Sequence, residues 1–127
     1  MWVKYNPNPA GKSVGDCVIR AVAVATSQTW QRTYDEICKQ GRVEYDMPTA
    51  DLVWGAYLNK EGFTMHTIQS ACRTCYTVRD FCQDHPEGTY VLGTGSHAVA
   101  VMDGNYYDAW DSGNENPIYY WRKDNGI

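Results

Sequence analysis

One stretch constrains the fold of this 127-residue chain more than any other. Residues 17–27, Cys-Val-Ile-Arg-Ala-Val-Ala-Val-Ala-Thr-Ser, are apolar on nearly every side of a helix. A helix with no polar face must be surrounded, so it is the central helix of whatever forms. Asp16 precedes it as the natural N-cap. The stretch contains one charge, Arg20, one turn after Cys17. A charge within a buried helix requires a partner, so Arg20 is expected in an ion pair.

Around this helix the spacing predicts three more. One spans about 29–40, with Trp30, Tyr34, Ile37 and Cys38 on one face and Gly41 as its stop. One spans about 49–61, with Leu52, Val53, Ala56 and Tyr57 inward. One spans about 77–84, with Thr77 and Asp80 as a capping box and Val78, Phe81 and Cys82 inward. Short strands are expected near the N-terminus and at 63–67. From Gly88 onward the period changes from helical to alternating. Residues 90–92, 97–102, 106–110 and 118–121 read as strands. Helices followed by an antiparallel sheet make an α+β chain, and 127 residues without a linker or repeat make one domain.

Composition narrows the function classes. Hydrophobic residues at 43% argue against disorder, and a net charge of −4 without a basic stripe argues against nucleic acid. No apolar run approaches membrane-spanning length, and no signal-peptide core follows Met1, so a soluble, cytoplasmic protein is expected. Five cysteines in such a chain read as free thiols.

Two residues carry the chemistry. Cys17 stands where unpaired backbone N–H groups and the helix dipole favour a thiolate. His97 follows the small-residue loop 93–96 and leads a strand. That strand turns at Asp103-Gly104, a two-residue type I′ signal. In that register Met102 faces Asn105, Val101 faces Tyr106, and His97 faces Trp110. His97, Tyr106, Asp108 and Trp110 then share one face. This selects Asp108 over Asp111 as the acid that orients His97, and a one-residue change of turn would reverse the choice.

His97-Ala-Val-Ala-Val101 followed by Asp108-Ala-Trp110, with Cys17 before a buried helix, resembles the papain-like cysteine peptidase superfamily. It is similar in particular to small members encoded by bacteriophages and Gram-positive bacteria, which share Gly-Asp-Cys-x-x-Arg-Ala and Tyr-Asp-x-Trp-Asp, and to bacteriocin-processing peptidases. The resemblance implies a papain-like fold: N-terminal helices, with a buried central one, packed on a C-terminal antiparallel sheet. It implies a Cys17–His97–Asp108 triad acting on a peptide or protein substrate, with Trp110 shielding the His–Asp contact and no cofactor. The family places a Gln six residues before the cysteine as oxyanion donor. Here that residue is Gly11, so the backbone N–H of Cys17 is one candidate and the second is open among Asn8, Asn6, Lys12 and Ser13, with the Asn8 amide favoured because it can take the role of Gln.

Three other readings compete. A cell-wall amidase or endopeptidase of NlpC/P60 or CHAP type would use a similar Cys and His. A non-catalytic papain-like binding module would account for the missing Gln. A zinc adaptor would use Cys72, Cys75, Cys82 and His85, although Cys82 also suits the apolar face of its helix.

Overall fold

The computed structural model describes residues 1–69 and 75–124. The elements run β1 (Trp2–Lys4), α1 (Cys17–Thr26), α2 (Trp30–Glu44), α3 (Asp51–Lys60), β2 (Phe63–Thr67), α4 (Val78–Asp84), β3 (Thr89–Gly93), β4 (Ala98–Met102), β5 (Asn105–Asp108) and β6 (Tyr119–Lys123). The class is α+β, as the change of period implies. The six strands form one sheet in the order β1-β5-β4-β3-β6-β2.

That sheet differs from the expected one in two ways. It is mixed, because β1 pairs parallel with β5 while every other pairing is antiparallel. It is also not confined to the C-terminal third, because β1 and β2 supply both edges. Three residues are too few to show a pairing direction in their sequence. The partner of β1 is set by the far end of the chain, where Trp2 lies opposite Tyr106 and Lys4 opposite Asp108.

Two apolar layers clasp the sheet. On one side α1, α2 and α3 meet Phe63, Val91, Ala98 and Ala100. On the other, α4 packs Val78, Phe81 and Cys82 against Tyr90, Leu92, Val99, Val101 and Tyr106. Alternate residues of β3 and β4 thus go to opposite cores, which is the period of a strand buried on both faces. The α1 helix is the central one, with Val18 through Ala23 and Ala25 all buried. The Thr77–Asp80 capping box forms with both of its bonds, and Val78, Phe81 and Cys82 face inward as expected.

The middle helices keep Ile37, Val53 and Tyr57 inward as expected but depart from the rest of the expected faces. In α2 the buried residues are Thr33, Ile37, Gln40 and Gly41, while exposed Tyr34 stacks on half-buried Trp30, with centroids 5.2 Å apart. In α3 the buried stripe is Val53, Trp54, Tyr57 and Leu58, and Leu52 is exposed. Gly41 does not stop α2, which continues to Glu44 and ends on left-handed Tyr45. Its glycine serves a different purpose. The chain doubles back so closely that a Cβ at Gly41 would lie 2.7 Å from the Asp46 carbonyl oxygen.

Cys75 is disulfide-bonded, which corrects the expectation of free thiols throughout. Disulfide formation follows the proximity of two sulfurs, and an odd count of cysteines does not exclude it. Cys17, Cys38 and Cys82 are free.

Gly93, the last residue of β3, tests the packing behind the hairpin loop. A Cβ there would lie 2.2 Å from the ring of Tyr119. Tyr119 in turn is held against Trp54, with centroids 6.1 Å apart. Gly93→Ala is expected to destabilise the protein by about 1–3 kcal/mol, the range for overpacking a filled site. Urea denaturation measures it; an unchanged midpoint would show that the ring swings away freely.

Candidate functional site

The hairpin forms in the expected register. Met102 lies opposite Asn105, Val101 opposite Tyr106 and Ala100 opposite Tyr107. Asp103 and Gly104 both take positive φ, 49° and 78°, as a type I′ turn requires. His97 sits one residue before β4 and Asp108 is the last residue of β5. The two therefore meet at the end of the sheet.

There His97 Nε2 lies 2.6 Å from Asp108 Oδ2. With Nε2 on the carboxylate, Nδ1 is the ring nitrogen left for the thiol. Cys17, the first residue of α1, is hydrogen-bonded to His97 and accepts from the backbone N–H of Ala98. Burial raises the Cys17 pKa, but these bonds and the charges of His97 and Arg20 outweigh it, and the thiol is more acidic than an ordinary one. Burial likewise opposes charge on His97. The bonds to Asp108 and Cys17 overcome it and push the imidazole up to about 9. Both shifts favour the thiolate–imidazolium pair at neutral pH.

Asp108 is buried and held on all sides. Besides His97 it accepts from Ser112 Oγ at 2.7 Å, from the backbone N–H of Ala109 at 2.8 Å and from Arg20 at 3.1 Å. Burial raises its pKa, but the bonds from His97 and Ser112 lower it further, so the carboxylate stays ionised. Trp110 lies over His97, with centroids 4.9 Å apart, and one face of the indole meets solvent.

Arg20 joins this acid to the helix start. One guanidinium nitrogen reaches Asp108, and the other makes a close ion pair with Asp16, one turn earlier on α1. All three groups are buried. Asp16 stands at the N-cap but makes no side-chain capping bond. Its carboxylate accepts from Arg20, from Trp30 Nε1 at 2.9 Å and from Asn8 Nδ2 at 3.4 Å. The charge that would oppose a thiolate at Cys17 is thereby matched by Arg20. The cost is an uncapped helix start, whose first backbone N–H groups lack a side-chain acceptor.

The remaining expected residues are placed as follows. Asn8 lies beside Asp16, and its side chain also accepts from the Ala10 N–H at 2.9 Å, so its amide is turned toward the N-cap carboxylate. Tyr106 does not join the His97 group. It is buried beneath α4, and its hydroxyl donates to Asp111, which also pairs with Arg79. Tyr106 and Asp108 are both buried at alternate positions of β5, but His97 and Trp110 lie beyond the paired strands, where alternation no longer holds them to that face. Ser112 was not singled out from sequence. Its one signal is its place four residues after Asp108, across a turn whose shape the sequence does not show.

The zinc set does not assemble as proposed. Cys72 lies outside the described residues, and a disulfide-bonded Cys75 cannot serve as a thiolate ligand. Cys82 is packed in the α4 core, and His85 stacks on Phe81 with centroids 3.8 Å apart. Among the described residues no group of three or more His, Cys, Asp or Glu side chains could hold a metal ion. Among them, too, no helix is long and apolar enough to cross a membrane.

On its open side Cys17 borders a cleft of about 310 Å³ that also takes in Gly95, Ser96 and His97 from the hairpin loop and Thr49, Trp54 and Tyr119 opposite. No family model, curated protein or solved structure matches this chain.

Two predictions follow from the charges. Arg20→Met leaves the buried Asp16 and Asp108 carboxylates without their counterion. The expected loss is about 3–5 kcal/mol in urea denaturation, as for one partner removed from a buried pair. A loss under about 1 kcal/mol, the worth of a surface pair, would mean that water reaches the bridge.

The second concerns pH. His97 keeps its proton up to about 9, above the ordinary 6.5, while Cys17 gives its proton up earlier than a free thiol. Where both shifts hold the pair ionised, folding moves a proton from sulfur to imidazole with no net uptake. The pair then leaves stability flat across that range. Cys17→Ala breaks the balance, because His97 remains on Asp108 and the folded state holds more protons than the unfolded. The His97 contribution is then complete below its ordinary pKa and is lost as pH rises through the raised one. The limiting slope is about 1.4 kcal/mol per pH unit. Urea midpoints from pH 6 to 9 compare the two proteins; equal slopes would show that the thiol is protonated in the native state.

Proposed function

We propose that the protein is a thiol hydrolase of papain-like type, a cysteine peptidase or isopeptidase acting through Cys17, His97 and Asp108. The observation that carries this reading is the seating of one imidazole between a buried, ionised carboxylate and a thiol at a helix start that opens on a cleft. A structural histidine needs one partner. A structural cysteine needs no imidazole, and a buried one ordinarily has its pKa raised, as Cys82 does.

The chemistry follows from the contacts. The Cys17 thiolate attacks an amide carbonyl carbon, and the carbonyl oxygen takes the negative charge. The backbone N–H of Cys17, at the uncapped start of α1, is a donor to that oxyanion. His97 gives its proton to the leaving nitrogen as the C–N bond breaks, which leaves a thioester. It then takes a proton from water as the water attacks, and the acid leaves the regenerated thiolate. Asp108 stabilises the imidazolium and fixes the ring, and does not itself change protonation. Trp110 covers the ring's outer face. Ser112 and Arg20 are positioning residues, since each acts through Asp108.

Alkylation tests the reading without a known substrate. Iodoacetamide at pH 7 is expected to label Cys17 at least about tenfold faster than Cys38 or Cys82, reflecting its thiolate fraction. His97→Ala is expected to erase that advantage and move the labelling midpoint to higher pH. Equal labelling of Cys17 and Cys38 in the wild-type protein would end the proposal. A panel of fluorogenic peptides and isopeptides, with Cys17→Ala as the blank, then separates hydrolysis from binding.

A further inference from the structure

The wall of the cleft facing Cys17 carries a charge that the triad does not use. Asp51 is the first residue of α3 and lines the same cleft as Cys17 and His97. A carboxylate at a helix start has a plain structural use, since the dipole favours it there. The side-chain contacts point elsewhere. Asp51 Oδ1 accepts from Trp54 Nε1 at 3.2 Å, and the Tyr119 hydroxyl lies beside the same carboxylate. Burial and this carboxylate hold the Tyr119 proton on well above its ordinary range. Trp54 and Tyr119 are themselves fixed against each other. Two neutral donors on rigid rings therefore aim the carboxylate without neutralising it.

The charge balance of the cleft gives this a direction. His97 is the one group there that carries a positive charge, and the Cys17 thiolate matches it. The described lining residues include no lysine or arginine, and no ion pair among the described residues reaches Asp51. One uncompensated negative charge remains in a volume of about 310 Å³, at the small end for ligand pockets. Asp51 is itself exposed, so its charge is open to an entering cation.

We infer that Asp51 is a specificity residue, and that the cleft takes a substrate bearing a primary ammonium or guanidinium group beside the scissile amide. The inference rests on the proposed thiol chemistry. The cation would displace water from the free lone pairs of the Asp51 carboxylate, with Trp54 and Tyr119 holding its orientation. A lysine-like and an arginine-like group share this chemistry.

The test reads substrate charge directly at Cys17. Methanethiosulfonate reagents of similar size carry a 2-aminoethyl, a 2-guanidinoethyl, a neutral ethyl or a 2-sulfonatoethyl group. Each forms a disulfide with the Cys17 sulfur and releases methanesulfinate, so the rates compare charge alone. The expected result is a preference for cationic over anionic reagent that falls at least about tenfold in Asp51→Asn, the size of effect a focused field in a cleft produces. The faster of the two cationic reagents names the group. Asp35→Asn, an exposed change elsewhere on α2, is expected to leave the preference intact. Thr49→Lys, which sets a cation at the cleft without altering Asp51, is expected to lower it as well. A preference in Asp51→Asn within twofold of wild type, with Cys17 still outreacting Cys38, would overturn the Asp51 inference alone. A wild-type Cys17 no faster than Cys38 with any reagent would overturn the thiol chemistry beneath it.

Discussion

The Arg20 guanidinium is the joint on which the rest of the molecule turns. It is buried inside a helix that has no other charge, and it has two carboxylates to satisfy it. One of them, Asp16, fixes where α1 begins. The other, Asp108, fixes where β5 ends. A single side chain therefore sets the distance between the helix that offers the thiol and the strand that offers the acid. Each terminal guanidinium nitrogen takes one carboxylate, a planar bridge for which lysine has no equivalent fork. Buried ion pairs contribute little net stability, so a pair retained at this place is better understood as setting geometry.

The same joint explains how one fold holds opposite charges close together. Asp16, Arg20, Asp108, His97 and Cys17 alternate in sign along a chain of direct contacts. Each charge has a neighbour of the other sign, and each carboxylate has neutral donors as well. Asp16 has Trp30 and Asn8, and Asp108 has Ser112 and the Ala109 N–H. Desolvation acts against every member, and the pairings outweigh it at Cys17, His97 and Asp108. Asp51 stands apart from this series, across the cleft, held by groups that carry no charge.

Much of this was legible in the sequence, for reasons that can be stated. An all-apolar helix admits one position in a fold, and α1 takes it. Asp103-Gly104 fixes the turn, the turn fixes the register, and the register separates Asp108 from Asp111. Arg20 announces a partner because it has nowhere to be solvated. The rest depended on contacts between distant segments. Helices α2 and α3 touch each other as well as a layer beside them, so their buried stripes are rotated from the ones periodicity suggests. Gly41 reads as a stop signal and is in fact a clearance for the returning chain. Asp16 reads as a cap because local hydrogen bonding is all a sequence displays, and the competing pull of Arg20 and Trp30 comes from tertiary structure. Cys75 gave no sign of its disulfide. The wall formed by Thr49, Asp51 and Tyr119 comes from the start of α3 with the turn before it and from β6, and no local pattern ties them to Cys17.

The placement of the hairpin has a consequence for the life of the protein before it is finished. The sulfur leaves the ribosome early, on the first helix, whereas the imidazole and its acid arrive with the closing strands. Until those strands dock, the cysteine is an ordinary thiol with no base beside it. In a nascent or partly unfolded chain the thiol therefore keeps its ordinary acidity, and the shift toward thiolate comes only once the sheet has closed.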